Sequence, residues 1–236
     1  MNYNGYRDWI KPEYVLIECS GKACLNDMPE TIDFSRGISE KELEMYGMVD
    51  YSGKGSEQKS SSGGGPVPFQ LNFISDANFK LVRNSIIYHF SDNAFYSQVY
   101  NTKLVKPFFS VDASDTLLFL DKNVITRNNI TVMRITRMND YLNNLADQLA
   151  VNGIRLIIMP VVDTYNLYSI CVINRKYPES FFFGEFRKLP KRYCFIDTKA
   201  LLREELARGE KDVFYADDTH WSWKASKKIF ESVHFN

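Results

Sequence analysis

The chain has 236 residues, of which 44% are hydrophobic and 14% aromatic, so it is long enough to bury one sizeable core. Its 29 basic residues balance its 29 acidic residues, which argues against a nucleic-acid-binding protein because such proteins usually carry a basic excess. No apolar run is long enough to cross a membrane, and the polar N-terminus does not resemble a signal peptide. We therefore expect either a cytoplasmic protein or one whose exporting segment lies outside this sequence.

The four cysteines predict neither a metal site nor a redox motif. Cys19, Cys24, Cys171 and Cys194 form no CxxC pair and have no metal-ligand spacing. We expect buried free thiols, with one disulfide as the alternative for an exported protein. We expect no metal and no cofactor.

The first predicted element is a strand at residues 14–17. These residues are apolar, and Pro12 before them favours an extended backbone over a helix, so we predict a buried strand. Residues 19–38 look like a loop and residues 39–46 like a short helix. Residues 52–66 are Gly/Ser-rich and cannot bury a core, so we predict a flexible insertion within a single domain that spans residues 1–236.

Apolar residues at helical spacing predict two helices in the middle of the chain. The first covers residues 76–90, with Phe79, Val82, Ile86 and Ile87 on one face. The second covers residues 131–151 and ends at Asn152-Gly153, a typical C-terminal stop. Between them, residues 116–120 are apolar and predict a strand.

The C-terminal half alternates predicted strands and helices. Strands are predicted at residues 154–159 and 193–196, and helices at residues 198–208 and 223–233. This alternation predicts an α/β fold with a mostly parallel sheet covered on both faces. In such sheets the functional residues follow the carboxyl ends of the strands. The loops after Ile17, after Met159 and around His220 are therefore the predicted places for a site.

The segment Asp217-Asp218-Thr219-His220-Trp221 carries the strongest chemical signal. Of the three histidines, only His220 has carboxylates both two and three residues upstream. A carboxylate this close can hold an imidazole in one tautomer and raise its basicity, as in the acid/base half of a Ser-His-Asp site. The spacing leaves open which of the two aspartates orients His220, and the other is expected to cap the final helix.

Several segments together resemble the SGNH (GDSL-like) hydrolase superfamily, most closely the SGNH-like acetyltransferases of the alginate O-acetylation type. The most specific is Asp218-Thr219-His220-Trp221, which places the family's catalytic Asp and His on Asp218 and His220. A second is Pro160-Val-Val-Asp163, followed by Tyr168, where the family shows Pro-x-x-Asp-Lys and then a Tyr. Thr164 stands at the Lys position. The resemblance covers residues 116–233 well and residues 7–18 loosely.

The resemblance implies a three-layer α/β/α sandwich and an enzyme that handles O-acetyl groups on a carbohydrate, as transferase or esterase. It implies a catalytic pair of Asp218 and His220, with Asp163, Tyr168 and Trp221 near the substrate. For Asp163, a loop carboxylate or helix cap is the other interpretation. By the same resemblance, the protein would work in the periplasm or at the cell surface with a membrane-bound acyl-transferring partner and a polysaccharide substrate.

The family's nucleophile, a Ser in a Gly-Asp-Ser turn, has no counterpart in this sequence. We expect the serine strand to precede residue 1, so that the sheet would lack its first strand here. Ser20 is the alternative nucleophile, because it follows a strand and precedes Gly21, although Glu18 and Cys19 replace the family's Gly and Asp. Another alternative is a non-catalytic carbohydrate-binding or scaffolding relative.

The remaining histidines and the tryptophans have simpler interpretations. His89 and His234 are expected to be structural. Trp221 and Trp223 could stack on a sugar, but burial against the sheet is the favoured prediction.

Overall fold

The computed structural model describes residues 12–20, 25, 76–88, 90–93, 98–120, 124 and 130–233. The chain divides into two compact units, one of Met1–Lys11 with Glu30–Leu81 and one of Pro12–Pro29 with Val82–Asn236. Only residues 76–81 of the first unit are described, so the fold below is that of the second. The predicted helix at 39–46, the predicted insertion at 52–66, His89 and His234 lie outside the described residues, and the single domain stays a prediction.

The described residues form, in chain order, β1 (Tyr14–Ser20), α1 (Asp76–Ile87), β2 (Val99–Lys103), β3 (Thr116–Leu120), α2 (Val132–Ala150), β4 (Arg155–Val161), α3 (Thr164–Tyr168), a 3-10 turn (Ser169–Cys171), α4 (Phe182–Lys188), β5 (Cys194–Phe195), α5 (Thr198–Arg208) and α6 (Trp223–Glu231). Each strand and helix predicted within these residues is present, the strand at 116–120 and the helix at 198–208 with the predicted bounds and the others with shifted ends. The sequence analysis did not predict β2, α3 or α4.

Three strands form a parallel sheet in the order β1-β4-β5, which confirms the predicted α/β class. Central β4 is buried over most of its length, as its continuous apolar sequence predicted. By contrast, β1 is an edge strand among the described strands, and its Leu16 is 43% exposed. The prediction of a buried strand at 14–17 is therefore wrong. The three-layer sandwich stays a prediction.

The strand at 116–120 does not belong to the parallel sheet. It pairs with β2 in a separate antiparallel ribbon, from Val99 opposite Leu120 to Lys103 opposite Thr116. The Phe119 ring in β3 is buried and lies 4.7 Å from the ring of Tyr165 in α3. This aromatic contact fixes the ribbon to the segment that follows β4.

Helix α2 begins and ends within one residue of its predicted bounds. Thr131 is its N-cap, and the Thr131 side chain accepts a hydrogen bond from the Arg134 amide at 3.2 Å. After the helix, Gly153 has a φ of 73°, a left-handed conformation that glycine adopts without steric strain. The next residue, Ile154, leads directly into β4, so the Gly153 turn sets the short connection between helix and sheet.

Thr198 joins the end of β4 to the start of α5. Its buried hydroxyl donates to the Pro160 carbonyl at 2.5 Å and accepts from the Val162 amide at 3.2 Å. These bonds satisfy backbone groups where the strand leaves the sheet. The loop after β4 therefore has a fixed start.

The described cysteines differ from the predicted buried free thiols. Cys19 is in a disulfide, Cys171 is a half-buried free thiol, and Cys194 is an exposed one. The predicted apolar face of α1 is likewise not buried, since Phe79, Val82 and Ile86 are exposed. Within the described ranges, no helix is long and apolar enough to cross a membrane.

Candidate active site

A short hairpin presents the Asp217–Trp221 motif. Phe214 and Trp221 form an antiparallel bridge, and the Tyr215 amide donates to the His220 carbonyl at 3.2 Å. The Ser222 amide donates to the Val213 carbonyl at 2.9 Å. Two backbone hydrogen bonds thus close the turn, which we call the 213–222 hairpin.

The base of this hairpin is anchored in an aromatic core around Tyr168. The ring of Tyr168 lies 5.5 Å from the rings of Phe108 and Phe109 and 6.3 Å from that of Phe214. Its hydroxyl accepts a hydrogen bond from the Phe214 amide at 3.4 Å. Burial raises the pKa of Tyr168 well above its usual value. Tyr168 is thus fully buried and supports the hairpin, whereas the family resemblance implied a position near the substrate.

Asp218 and His220 form the predicted pair. The His220 Nδ1 lies 2.6 Å from Asp218 Oδ1, and because a carboxylate only accepts hydrogen bonds, Nδ1 carries the proton. The hydrogen bond from His220 lowers the pKa of Asp218. The lone pair of Nε2 is then left for another proton, and the His220 side chain is 79% exposed. Such a pair can act as a general base at the protein surface.

The structure resolves the choice that the spacing left open between the two aspartates. Asp218 orients His220, while no described hydrogen bond or ion pair engages the Asp217 carboxylate. Neither aspartate caps the final helix. The N-cap of α6 is Ser222, whose hydroxyl accepts from the Lys224 amide at 3.2 Å. The predicted aspartate cap is therefore wrong.

A groove of about 610 Å³ adjoins the hairpin. One wall comes from the end of the 98–120 segment, including Val111 and Leu118, and the other from Asp212, Tyr215, Asp217, Trp223 and Lys224. We call it the aromatic groove. Trp223 is 65% exposed and lines it, so the prediction that Trp223 is buried is wrong. Trp221, in contrast, is half-buried in the hairpin.

Asp212 ties the two walls of the groove together. Its carboxylate accepts from the Ser110 amide at 2.8 Å and from the Ser110 hydroxyl at 2.6 Å. Its own amide donates to the Phe108 carbonyl at 2.9 Å. Asp212 has a φ of 57°, a left-handed conformation that Asp tolerates better than most residues. The groove is thus held by contacts between distant parts of the sequence.

Two predicted site residues lie in other environments. Ser20 is the last residue of β1, opposite Val161, and no hydrogen bond joins it to His220 within the described part of the chain. Asp163 is the N-cap of α3, where it accepts from the Asn166 amide at 2.8 Å and from the Asn166 side chain at 2.5 Å. Asp163 therefore has the capping role that the sequence analysis gave as an alternative.

The sequence analysis missed a second polar site, the Glu179 cluster of Ser169, Glu179, Lys199 and Arg203. The Lys199 side chain is 3% exposed and forms an ion pair with Glu179, and Arg203 lies 3.0 Å from the same carboxylate. Burial opposes the ionisation of Glu179, but hydrogen bonds from Lys199, Ser169 and Arg203 outweigh it and lower its pKa to about 2. The four residues are scattered in sequence, so no local pattern indicated the cluster.

Tyr215 is an aromatic groove residue that the sequence analysis missed, whereas Trp223 was given there as a possible sugar contact and Asp217 as a possible partner of His220. The sequence held a signal for an aromatic binding surface, because Tyr215 and Trp223 flank the Asp217–Trp221 motif. No group of three or more potential metal ligands occurs among the residues the structure describes. No family model, curated protein or solved structure matches the chain. The relationship to the SGNH superfamily therefore stays a prediction.

Proposed function

We propose that this chain provides the general-base pair of a Ser-His-Asp acyl-ester site that acts on carbohydrate O-acetyl groups, as an SGNH-like O-acetyltransferase or acetylesterase. One observation carries the proposal: the 2.6 Å contact of Asp218 with His220 Nδ1 leaves Nε2 at an exposed position. The neighbouring aromatic groove supports it by offering a surface on which a sugar can lie.

In the proposed reaction, Asp218 holds the Nδ1 proton of His220 and stabilises the imidazolium that forms. The Nε2 atom takes the proton of a serine hydroxyl while the serine oxygen attacks the acetyl carbonyl. The same proton then passes to the leaving oxygen. A sugar hydroxyl resolves the acetyl-serine in transfer and water does so in hydrolysis, with His220 again accepting the proton of the attacking group.

Two assays test the proposal. A fluorophosphonate probe followed by mass spectrometry would identify a reactive serine, and p-nitrophenyl acetate would report turnover. We expect both signals once the serine strand expected before residue 1 is included with this chain, and their loss in His220→Ala. The control is His234→Ala, which removes a histidine that the proposal does not use. Unchanged turnover in His220→Ala would contradict the proposal.

The same assays decide the role of Ser20. Because no described hydrogen bond joins Ser20 to His220, we expect probe labelling to survive Ser20→Ala. Loss of labelling in that variant would instead assign the nucleophile to Ser20.

A non-catalytic carbohydrate-binding relative is the second candidate function. The exposed aromatic side chains of Tyr215 and Trp223 favour it, since they suit binding whether or not a serine is present. Saturable binding of an oligosaccharide with no probe labelling and no turnover would support this function over the first.

The proposed setting is the periplasm or cell surface, with a membrane-bound acyl-transferring partner. The disulfide at Cys19 supports an oxidising compartment, because structural disulfides are rare in the reducing cytosol. Alkylation of the unreduced protein followed by mass spectrometry checks this. We expect Cys194 to be modified and Cys19 to be protected until a reductant is added.

A further inference from the structure

The aromatic groove presents two large rings that no other described ring covers. Trp223 is 65% exposed and Tyr215 is 47% exposed, and neither stacks on another aromatic residue in the described part of the chain. Large exposed aromatic surface beside a concavity is typical of a binding site. Pyranose rings have apolar C–H faces that pack against such side chains while their hydroxyls stay in water.

The backbone that carries both rings is fixed by its own hydrogen bonds before any ligand arrives. Tyr215 lies in the 213–222 hairpin, where its amide donates to the His220 carbonyl at 3.2 Å. Trp223 is the first residue of α6, directly after the buried N-cap Ser222. A binding surface on a fixed backbone costs less ordering on binding than one on a loose loop.

The charges of the groove decide which sugars it accepts. Lys224 is the cation that lines it, and its Nζ is already bonded to Glu210 at 2.5 Å and to the Lys211 carbonyl at 3.0 Å. Asp212 is occupied by Ser110, but its negative charge remains. Asp217 adds a second carboxylate, with no described partner. The lining therefore has an excess of negative charge and no uncommitted cation within the described residues.

The groups left for a ligand are those that suit hydroxyls. The Asp217 carboxylate accepts hydrogen bonds, the Trp223 indole N–H donates, and the Tyr215 hydroxyl does both. None of these three side chains has a hydrogen-bond partner among the described residues. A carboxylated or sulfated sugar would meet Asp217 and Asp212 without a compensating cation.

From these observations we infer that the aromatic groove binds a neutral glycan and discriminates against polyanionic glycans. The sugar rings stack on Trp223 and Tyr215, and sugar hydroxyls donate hydrogen bonds to the Asp217 carboxylate. The inference rests on the proposed function in that it names the substrate class of the same site. The groove volume of about 610 Å³ lies within the usual range of ligand sites.

The test measures binding rather than turnover, by calorimetry on the full chain carrying His220→Ala, a change that removes the proposed base but none of the groove lining. The probes are mannohexaose and hexamannuronate, which match in length and differ by one carboxylate per sugar. We expect mannohexaose to bind about tenfold tighter or more, and the difference to shrink in high salt because screening weakens the repulsion. Equal or tighter binding of the uronate would overturn the inference, as would no binding of either sugar.

Three variants test whether the sugar binds at the aromatic groove. Trp223→Ala should weaken mannohexaose binding about tenfold, whereas Phe230→Ala, which removes an aromatic side chain 51% exposed on the same helix but outside the groove lining, should leave it unchanged. Asp217→Asn should raise the affinity for the uronate relative to the neutral sugar. Unchanged affinities in Trp223→Ala would place the sugar elsewhere and overturn the inference. Because turnover of p-nitrophenyl acetate is measured separately on the native chain, failure of the proposed function would be visible independently of these affinities.

Discussion

The Asp218–His220 pair and the Glu179 cluster both join a carboxylate to a nitrogen base, in opposite settings. His220 is 79% exposed and bonded through one ring nitrogen, so its second nitrogen is left for a reacting proton. Lys199 is 3% exposed and its ammonium group is already paired with the Glu179 carboxylate, which Arg203 also contacts. The comparison shows that a carboxylate partner alone does not indicate chemistry. An uncommitted atom with access to a ligand is also needed.

The largest expected effect separates the two sites by activity. His220→Ala should lower turnover of p-nitrophenyl acetate on the order of 100-fold, the usual contribution of a positioned general base. Asp218→Asn should lower it as well, because the amide no longer fixes the Nδ1 proton. Since both side chains are exposed, neither change should move the urea midpoint. If both variants also lost stability, the Asp218–His220 pair would have a structural role, as the Glu179 cluster does.

The next effect is the converse, a loss of stability without a loss of activity. Glu179→Gln leaves Lys199 buried without its carboxylate, which costs roughly 3–5 kcal/mol when a pair is fully buried. Because the Glu179 side chain is 35% exposed, we expect about 2 kcal/mol in the free energy of unfolding, measured by urea titration. When Lys199 is already replaced by Met, Glu179→Gln should lower the free energy of unfolding much less. This double-mutant cycle isolates the interaction energy between Glu179 and Lys199.

Acid should weaken the Glu179 cluster in a defined window. The pKa of Glu179 is about 2 in the folded state against 4.5 ordinarily, so between these values the unfolded chain binds more protons. The stabilisation is fully present above about pH 4.5 and is lost as the pH falls toward 2. Urea titrations across this range should show a shallower pH dependence for Glu179→Gln than for the native chain. Parallel curves would show that other carboxyl groups dominate the acid response.

The smallest effect tests the junction between hairpin and helix. Ser222→Ala removes the N-cap of α6 and should cost about 1 kcal/mol in the free energy of unfolding. Ser226→Ala is the control, since the Ser226 hydroxyl makes a 3.4 Å contact with the Ser222 carbonyl and satisfies no free amide at the start of the helix. If the two variants are equally stable, the cap does not support the hairpin.

The sequence predicted those elements whose signal is local and repeated. Helix α2 shows five turns of apolar spacing and a Gly153 stop, and β4 is a continuous apolar run, so both were found close to their bounds. Helices α3 and α4 have five and seven residues, too few for a period to appear. Strand β2 is mostly polar and half-buried, so it has no strand signature. The position of β3 in a separate ribbon depends on its partner, which a single segment cannot show.

For the site, the sequence indicated what lies within a few residues and not what distant segments build together. Asp218 and His220 are two residues apart, and their contact followed from that spacing. The burial of Tyr168 depends on rings from two other segments, and so its expected contact with substrate could not be checked in advance. The exposure of Trp223 depends on the open side of a groove whose other wall lies about a hundred residues earlier.

The link between Ser110 and Asp212 has a consequence for how the protein is made. The two residues are 102 positions apart, and a translating ribosome releases the second wall of the groove long after the first. Every nascent chain therefore carries the Ser110 wall without its partner until synthesis has passed Asp212. A chain arrested anywhere between Ser110 and Asp212 therefore has one wall and no groove.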